Sequence, residues 1–325
     1  MDHGRQGIER VAARFALLGA AFLSTLALLA GAVRVLPLVV DPELPIGVAF
    51  PFAKAVAWLG LEVALATGWV VGWALAFARF VDRGEARVHA LLGRSPGDVA
   101  RGLVPQAAIL ACAVVAASYL AARDAEAPGR VVAELVSSGR DRCLAAEGAA
   151  TTIPVPFLDA RWLCAPGETP RLLLHPPQIG TALVTASDAT ISGDLREARL
   201  VDARIRTSRA EVSVRELLIK RMPPLLTSAS VKPWARAIAV AASSIVAAFG
   251  VVLVVLSRRI KSGAAAVALG GAASAATFAV LRGVDRAGAS SLFLLGAPIA
   301  AWGALAIGSA VCVSLRRKWA TATTK

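Results

Sequence analysis

Few residues of this 325-residue chain are of types that carry chemistry, and their spacing excludes most reactions. The three histidines, His3, His89 and His175, are scattered, and no CxxC or Cys/His cluster occurs, so no metal site is expected. No GxxxxGK[ST] loop is present, which excludes ATP hydrolysis of the P-loop type by this chain. No Ser/His/Asp or Cys/His arrangement has support either, so neither catalytic residues nor a cofactor are expected. Cys112 and Cys312 lie inside apolar runs, whereas Cys143 and Cys164 lie in a polar middle segment. That second pair has two readings, a disulfide or two separate thiols, because sequence does not reveal a Cα separation. Glu62 is the remaining outlier. It stands with Lys54 inside the apolar stretch 48–78, where a carboxylate is costly in lipid and must face a cavity, Lys54 or a partner helix.

The elements that hold these residues follow from hydropathy. Apolar residues make up 57% of the chain, above the roughly 45–50% of soluble domains. The uncharged runs 15–33, 103–122, 237–256 and 263–281 are 19 or 20 residues long, and 287–315 is longer, with Pro298 inside it. Each approaches the roughly 20 residues that cross a bilayer core. The sixth span, within 48–78, is less regular. Its uncharged part covers only 63–78, so the helix must begin earlier, and Pro45 and Pro51 predict a kinked or broken entry. The first run exceeds the 7–15 residues of a signal-peptide core and reads as a retained span.

Basic residues set the orientation. Fifteen fall in the N-terminal tail, in the loop from Arg79 to Arg101, in the loop holding Arg258, Arg259 and Lys261, and in the C-terminal tail. The opposite short loops hold only Arg34, Arg282 and Arg286. Both termini are therefore expected in the cytoplasm. The net charge of +13 belongs to these span ends and forms no aromatic-interleaved patch, so nucleic acid is not an expected partner.

Between spans three and four lies a polar insertion on the opposite side. It begins with a helical pattern (Val131, Val132, Leu135) and continues as short apolar runs divided by Pro166-Gly167, Pro176-Pro177 and Gly193-Asp194. This punctuation predicts a small β-sandwich or jelly roll. In its longest alternating run, Ala198, Leu200, Asp202, Arg204 and Arg206 are expected on one face. The expected division is 1–122 for the first membrane half, 123–233 for the insertion and 234–325 for the second half.

The loop after span two, 81–93, has Val81, Val88, Leu91 and Leu92 at helical spacing, with Arg83, Glu85, Arg87 and His89 around the other faces. Gly93 is placed to stop that helix in left-handed geometry. Ser95, Pro96 and Asp98 then form an N-cap, first turn and capping box for another. Such a helix is either a connector resting on the membrane or a lever for a cytoplasmic partner. On span two, Gly68 and Gly72 form GxxxG, and span five is Ala-rich with Gly270 and Gly271. These small faces reflect either composition or a contact with a partner permease.

Three spans, a β-rich extracytoplasmic domain and three further spans resemble the LptF/LptG (YjgP/YjgQ-type) permeases of lipopolysaccharide export. The run 75–85, ending Arg83-Gly84-Glu85, and the run Ala90-Leu91-Leu92-Gly93-Arg94-Ser95-Pro96 look like that family's second-helix exit and coupling segment. Ala127-Pro128 looks like its entry into the periplasmic domain. The insertion is shorter than the family's, and only Arg34 stands where members carry a basic cluster. The resemblance implies a polytopic α-helical protein of the bacterial inner membrane, with 123–233 periplasmic and jelly-roll-like. It implies that Glu85, with Arg83, Arg87, Leu91, Gly93 and Ser95, meets a cytoplasmic ABC ATPase dimer. A second six-span permease, periplasmic bridge proteins and lipopolysaccharide are the other implied partners. Arg34, Lys54, Arg282 and Arg286 become candidates for contacting lipid phosphates. The competing expectation is a non-transporting sensor or assembly factor that displays its β-domain from a membrane anchor.

Overall fold

The computed structural model describes residues 3–40, 46–125, 127–145, 151–155, 160–165, 167–174, 183–192, 197–207, 210–220, 232–257, 262–287 and 290–322. Their elements run, in order, α1 (His3–Val40), α2 (Ile46–Asp82), α3 (Glu85–Leu91), α4 (Pro96–Gly102), α5 (Val104–Arg123) and α6 (Ala127–Ala145). Strands β1 (Thr151–Val155), β2 (Ala160–Cys164), β3 (Arg171–Leu174), β4 (Leu183–Ala186), β5 (Asp188–Ile191), β6 (Ala198–Arg206) and β7 (Glu211–Ile219) follow. The chain ends with α7 (Pro233–Leu256), α8 (Gly263–Ala287), a 3-10 turn (Ser291–Leu295) and α9 (Gly296–Ala322). Among the described residues, six helical segments are long and apolar enough to cross a membrane: Gly7–Val33, Phe50–Asp82, Val104–Arg123, Pro233–Leu256, Gly263–Ala287 and Leu292–Ser314.

Two details of these helices differ from the sequence expectation. α2 is continuous from Ile46 and carries Pro51 inside it, so of the kinked or broken entry expected there, the break is absent at Pro51. Pro45 lies outside the described residues. The long run 287–315 divides into the 3-10 turn and α9, which places Pro298 in the first turn of α9. There its missing N–H has no intrahelical acceptor to forfeit.

The chain forms two compact units, 1–33 with 56–123 and 229–325, and 34–55 with 124–228. The second therefore includes the end of α1 and the start of α2, which the sequence division assigned to the first membrane half. In the first unit, α2 is central. Trp69, Trp73 and Phe77 are fully buried along one face, with Trp69 and Trp73 edge to face at 5.4 Å. The Trp73 indole N–H donates to Gln106 Oε1 of α5 at 3.1 Å. α1 shows the opposite character and exposes Leu17, Leu18, Phe22 and Leu29.

The Gly68/Gly72 face packs within the chain. A Cβ on Gly68 would sit 2.6 Å from the Ala20 backbone of α1, and one on Gly72 would strike the Phe15 carbonyl. The face expected to contact a partner permease or to mean nothing is thus the α1–α2 contact. Gly270 meets Val70 of α2, whereas Gly271 faces open space.

In the second unit the described strands form one seven-stranded antiparallel sheet in the order β1-β2-β3-β4-β6-β5, with β7 also on β6. It is a single curled sheet, where a sandwich has two. The buried face of α6 (Val132, Val136, Gly139, Cys143) supplies the second layer. Trp162 of β2 is fully buried there, donates to the Val136 carbonyl at 3.0 Å, and fills the space that a Cβ on Gly139 would need. Phe52 of α2 packs with Val132 in the same unit.

The alternation expected for β6 slips. Ala198 and Leu200 are buried, but beyond Asp202 the inward side passes to Ala203, buried, and Ile205, half-buried, while Arg204 and Arg206 are exposed. Asp202 has φ 48, and the pairing skips from Val201↔Glu216 to Ala203↔Val214. The register is the same on both sides, so no residue is inserted, and the faces exchange at the left-handed backbone of Asp202. Opposite it, Ser187 separates β4 from β5 and donates its N–H to the Val201 carbonyl at 2.9 Å.

Candidate functional site

α2 brings Glu62 to the same side as Ala66, Trp69 and Trp73, so the carboxylate that interrupted the apolar run is buried inside the helical unit, with 0% exposure. Three donors meet it. Ser118 of α5 donates Oγ–H to Oε1 at 2.7 Å. Arg236 of α7 donates from Nε to Oε1 at 3.0 Å and from Nη2 to Oε2 at 2.9 Å. This fork-to-fork geometry is the strongest form of ion pair a protein makes. The other side of the guanidinium faces Asp285 of α8, with Nη1 and Oδ2 3.7 Å apart. Arg236 is 3% and Asp285 5% exposed. Four helices therefore meet at one cluster of three charged side chains and a hydroxyl.

Local structure delivers each partner. Pro233 begins α7 at its first position, where a fixed φ suits the helix, and Arg236 follows within the first turn. Asp285 shares its buried side of α8 with Leu281 and Val284. Of the three partners expected for Glu62, the structure shows a helix of the same chain. Lys54 is committed elsewhere, to Asp124 at 3.0 Å in the second unit.

Arg236, Asp285 and Ser118 are not singled out by the sequence reading, and Arg236 stands just before the uncharged run 237–256. One signal was available, because Asp285 is the sole acidic residue after Glu216. A single acid in an otherwise apolar and basic stretch calls for a buried cation.

The connector after α2 is the second candidate. The predicted coupling helix 81–93 is shorter than expected. Val81 belongs to the last turn of α2, Gly84 turns the chain at φ 79, and α3 holds Glu85–Leu91. Gly93 adopts φ 75 after it. Ser95 caps α4 as the sequence predicts: its Oγ accepts from the Asp98 N–H at 3.2 Å, and Asp98 Oδ2 accepts from the Ser95 N–H at 3.0 Å. Glu85 lies 3.9 Å from Arg83, with both side chains at least half exposed. Arg87 is exposed. Val88, Leu91 and Leu92 are 56%, 88% and 70% exposed, so this short apolar patch is uncovered in the chain. His89 lies against the Phe80 ring at 5.4 Å. Leu103, fully buried, roots the connector in the helical core.

No protein-family model and no curated protein matches this chain. The functional reading accordingly rests on its own residues.

The remaining predicted site residues disperse. Arg282 and Arg286 are exposed near the end of α8, on either side of the inward Asp285. The side chain of Arg34 and all of His175 lie outside the described residues. Cys143 of α6 and Cys164 of β2 are disulfide-bonded, with Cα atoms 5.2 Å apart, which joins helix to sheet.

Proposed function

We propose that this chain is a permease subunit of an ABC-type exporter that takes lipopolysaccharide from the outer leaflet of the inner membrane toward a periplasmic bridge. The observation that carries the reading is the α3 connector. Its exposed Val88, Leu91 and Leu92 beside Glu85 form a short amphipathic handle at the end of the most deeply buried helix, α2.

In this reading both termini and α3 are cytoplasmic, and an ATPase dimer grips α3 through Glu85, Arg83, Arg87 and Leu91. A second six-span subunit completes a cavity, and the β-domain receives the lipid in the periplasm. The curled sheet would serve where the family has a jelly roll. Exposed Arg282 and Arg286 fit a role at anionic headgroups, whereas Lys54 is already neutralised by Asp124.

Purification of the full-length protein from its native membrane, followed by ATPase assay, tests the proposal. An associated ATPase whose activity falls in Glu85→Ala supports it. Absence of any ATPase, or activity indifferent to Glu85→Ala, overturns it in favour of the anchored sensor or assembly factor.

A further inference from the structure

We propose that the groove between α1 and α5 holds one anionic phospholipid. An acyl chain lies against Ala13, Ala16, Leu17, Ile109 and Leu110, and the phosphate sits at Arg10 and Arg14. The inference is independent of the exporter reading and needs only a helical unit embedded in a bilayer.

The groove belongs wholly to the first unit and has a volume of about 300 Å³. Its mouth lies near the first residues of both spans, where Gln106 Nε2 of α5 stands 3.5 Å from the Glu9 carbonyl oxygen of α1. The α1 wall runs from Glu9 to Leu17, and the facing wall from Gly102 to Leu110. Eight helical steps rise about 12 Å, close to the roughly 15 Å of hydrocarbon in one leaflet. The groove is thus long enough for a chain from a single leaflet and too short for a crossing helix.

Apart from Glu9 and Gln106 the lining is apolar. Gln106 Oε1 already accepts from the Trp73 indole, and Glu9 is likewise engaged within the structure. Ala16 is buried at the floor, while Leu17 and Ile109, 62% and 72% exposed, form the lips. In a bilayer such a slot fills with hydrocarbon, because leaving it empty forfeits the contacts of its walls.

Charge at the mouth selects the lipid. Arg10 and Arg14 follow Glu9 and Ala13 on α1, one turn apart. Both are exposed, and neither has an acidic partner among the described residues. Helical side chains lean toward the helix N-terminus, which for α1 is the mouth of the groove. A guanidinium there extends to the headgroups and takes a phosphate through two hydrogen bonds. Arg101, also exposed, already meets Asp98 at 3.4 Å. The two uncompensated cations of α1 therefore favour an anionic headgroup over a zwitterionic one.

The test uses full-length protein in detergent with phosphatidylglycerol or phosphatidylcholine analogues that carry a photoactivatable group in one acyl chain. Phosphatidylglycerol should label 9–17 and 102–110 strongly and phosphatidylcholine weakly, while both label exposed Ile299 and Trp302 of α9 alike. Arg10→Gln/Arg14→Gln should weaken groove labelling by phosphatidylglycerol roughly 10- to 30-fold, the effect of two arginines at a membrane surface, with α9 labelling unchanged. Should that variant fail to fold, Ile109→Trp at the exposed lip should exclude the chain and abolish groove labelling with both arginines intact. Equal labelling by the two lipids, or labelling spread evenly over α1 and α9, means bulk lipid only and overturns the proposal. So does a groove that captures neither lipid while Ile109→Cys, with Cys112 and Cys312 changed to Ala, cross-links two chains, which assigns the groove to a second copy.

Discussion

Arg236 clasps Glu62 through two hydrogen bonds of 3.0 and 2.9 Å, although 174 residues of chain separate them. Both groups are almost wholly excluded from the surface, so each is the other's principal replacement for water.

Removal of one member should therefore harm the fold more than removal of both. Glu62→Ala is expected to destabilise the helical unit by about 3–5 kcal/mol, because it leaves a buried guanidinium without its clasp. Arg236→Met combined with Glu62→Leu should recover much of that loss. Thermal unfolding of the single and double variants in detergent measures the coupling, and strict additivity would refute the clasp.

The glycine faces make a contrasting pair. Gly68→Leu should prevent α1 from seating on α2, since even a Cβ there would overlap the Ala20 backbone. Gly271→Leu should be accepted with folding yield near wild type, because nothing lies within 4 Å of its Cβ position. Monodispersity on size-exclusion chromatography separates the two outcomes.

In the β-domain, Gly139→Ala should cost about 1–3 kcal/mol through overpacking, with a Cβ placed 2.8 Å from Trp162 Cδ1. Tryptophan fluorescence of the unfolding transition follows the same contact.

Cys143→Ser should remove a cross-link that spans 21 residues, a loss of about 3 kcal/mol on the loop-entropy account. Cys143→Ser/Cys164→Ser should show the same loss, and mass analysis without reductant should find two fewer free thiols in wild type than in reduced protein.

At the connector, Leu91→Ser should leave thermal stability almost unchanged, since that side chain is 88% exposed. Ser95→Ala should instead cost about 1 kcal/mol by removing the N-cap. On the exporter reading, Leu91→Ser also weakens retention of the ATPase during purification, whereas a membrane-resting loop predicts no such loss.

What the sequence by itself determined was set by near neighbours. Six apolar runs, the Gly93 stop and the Ser95–Asp98 capping box were all legible because hydropathy and capping act over a few residues. The β6 alternation was legible until Asp202, whose left-handed backbone reverses the faces within an unbroken pairing register. Glu62 could be recognised as requiring a partner, but not which one. Lys54, eight positions away, was the nearest cation in sequence and belongs to Asp124. Only the tertiary structure joined Glu62 to Arg236, Ser118 and Asp285, because four helices remote in sequence must pack before their buried charges can meet.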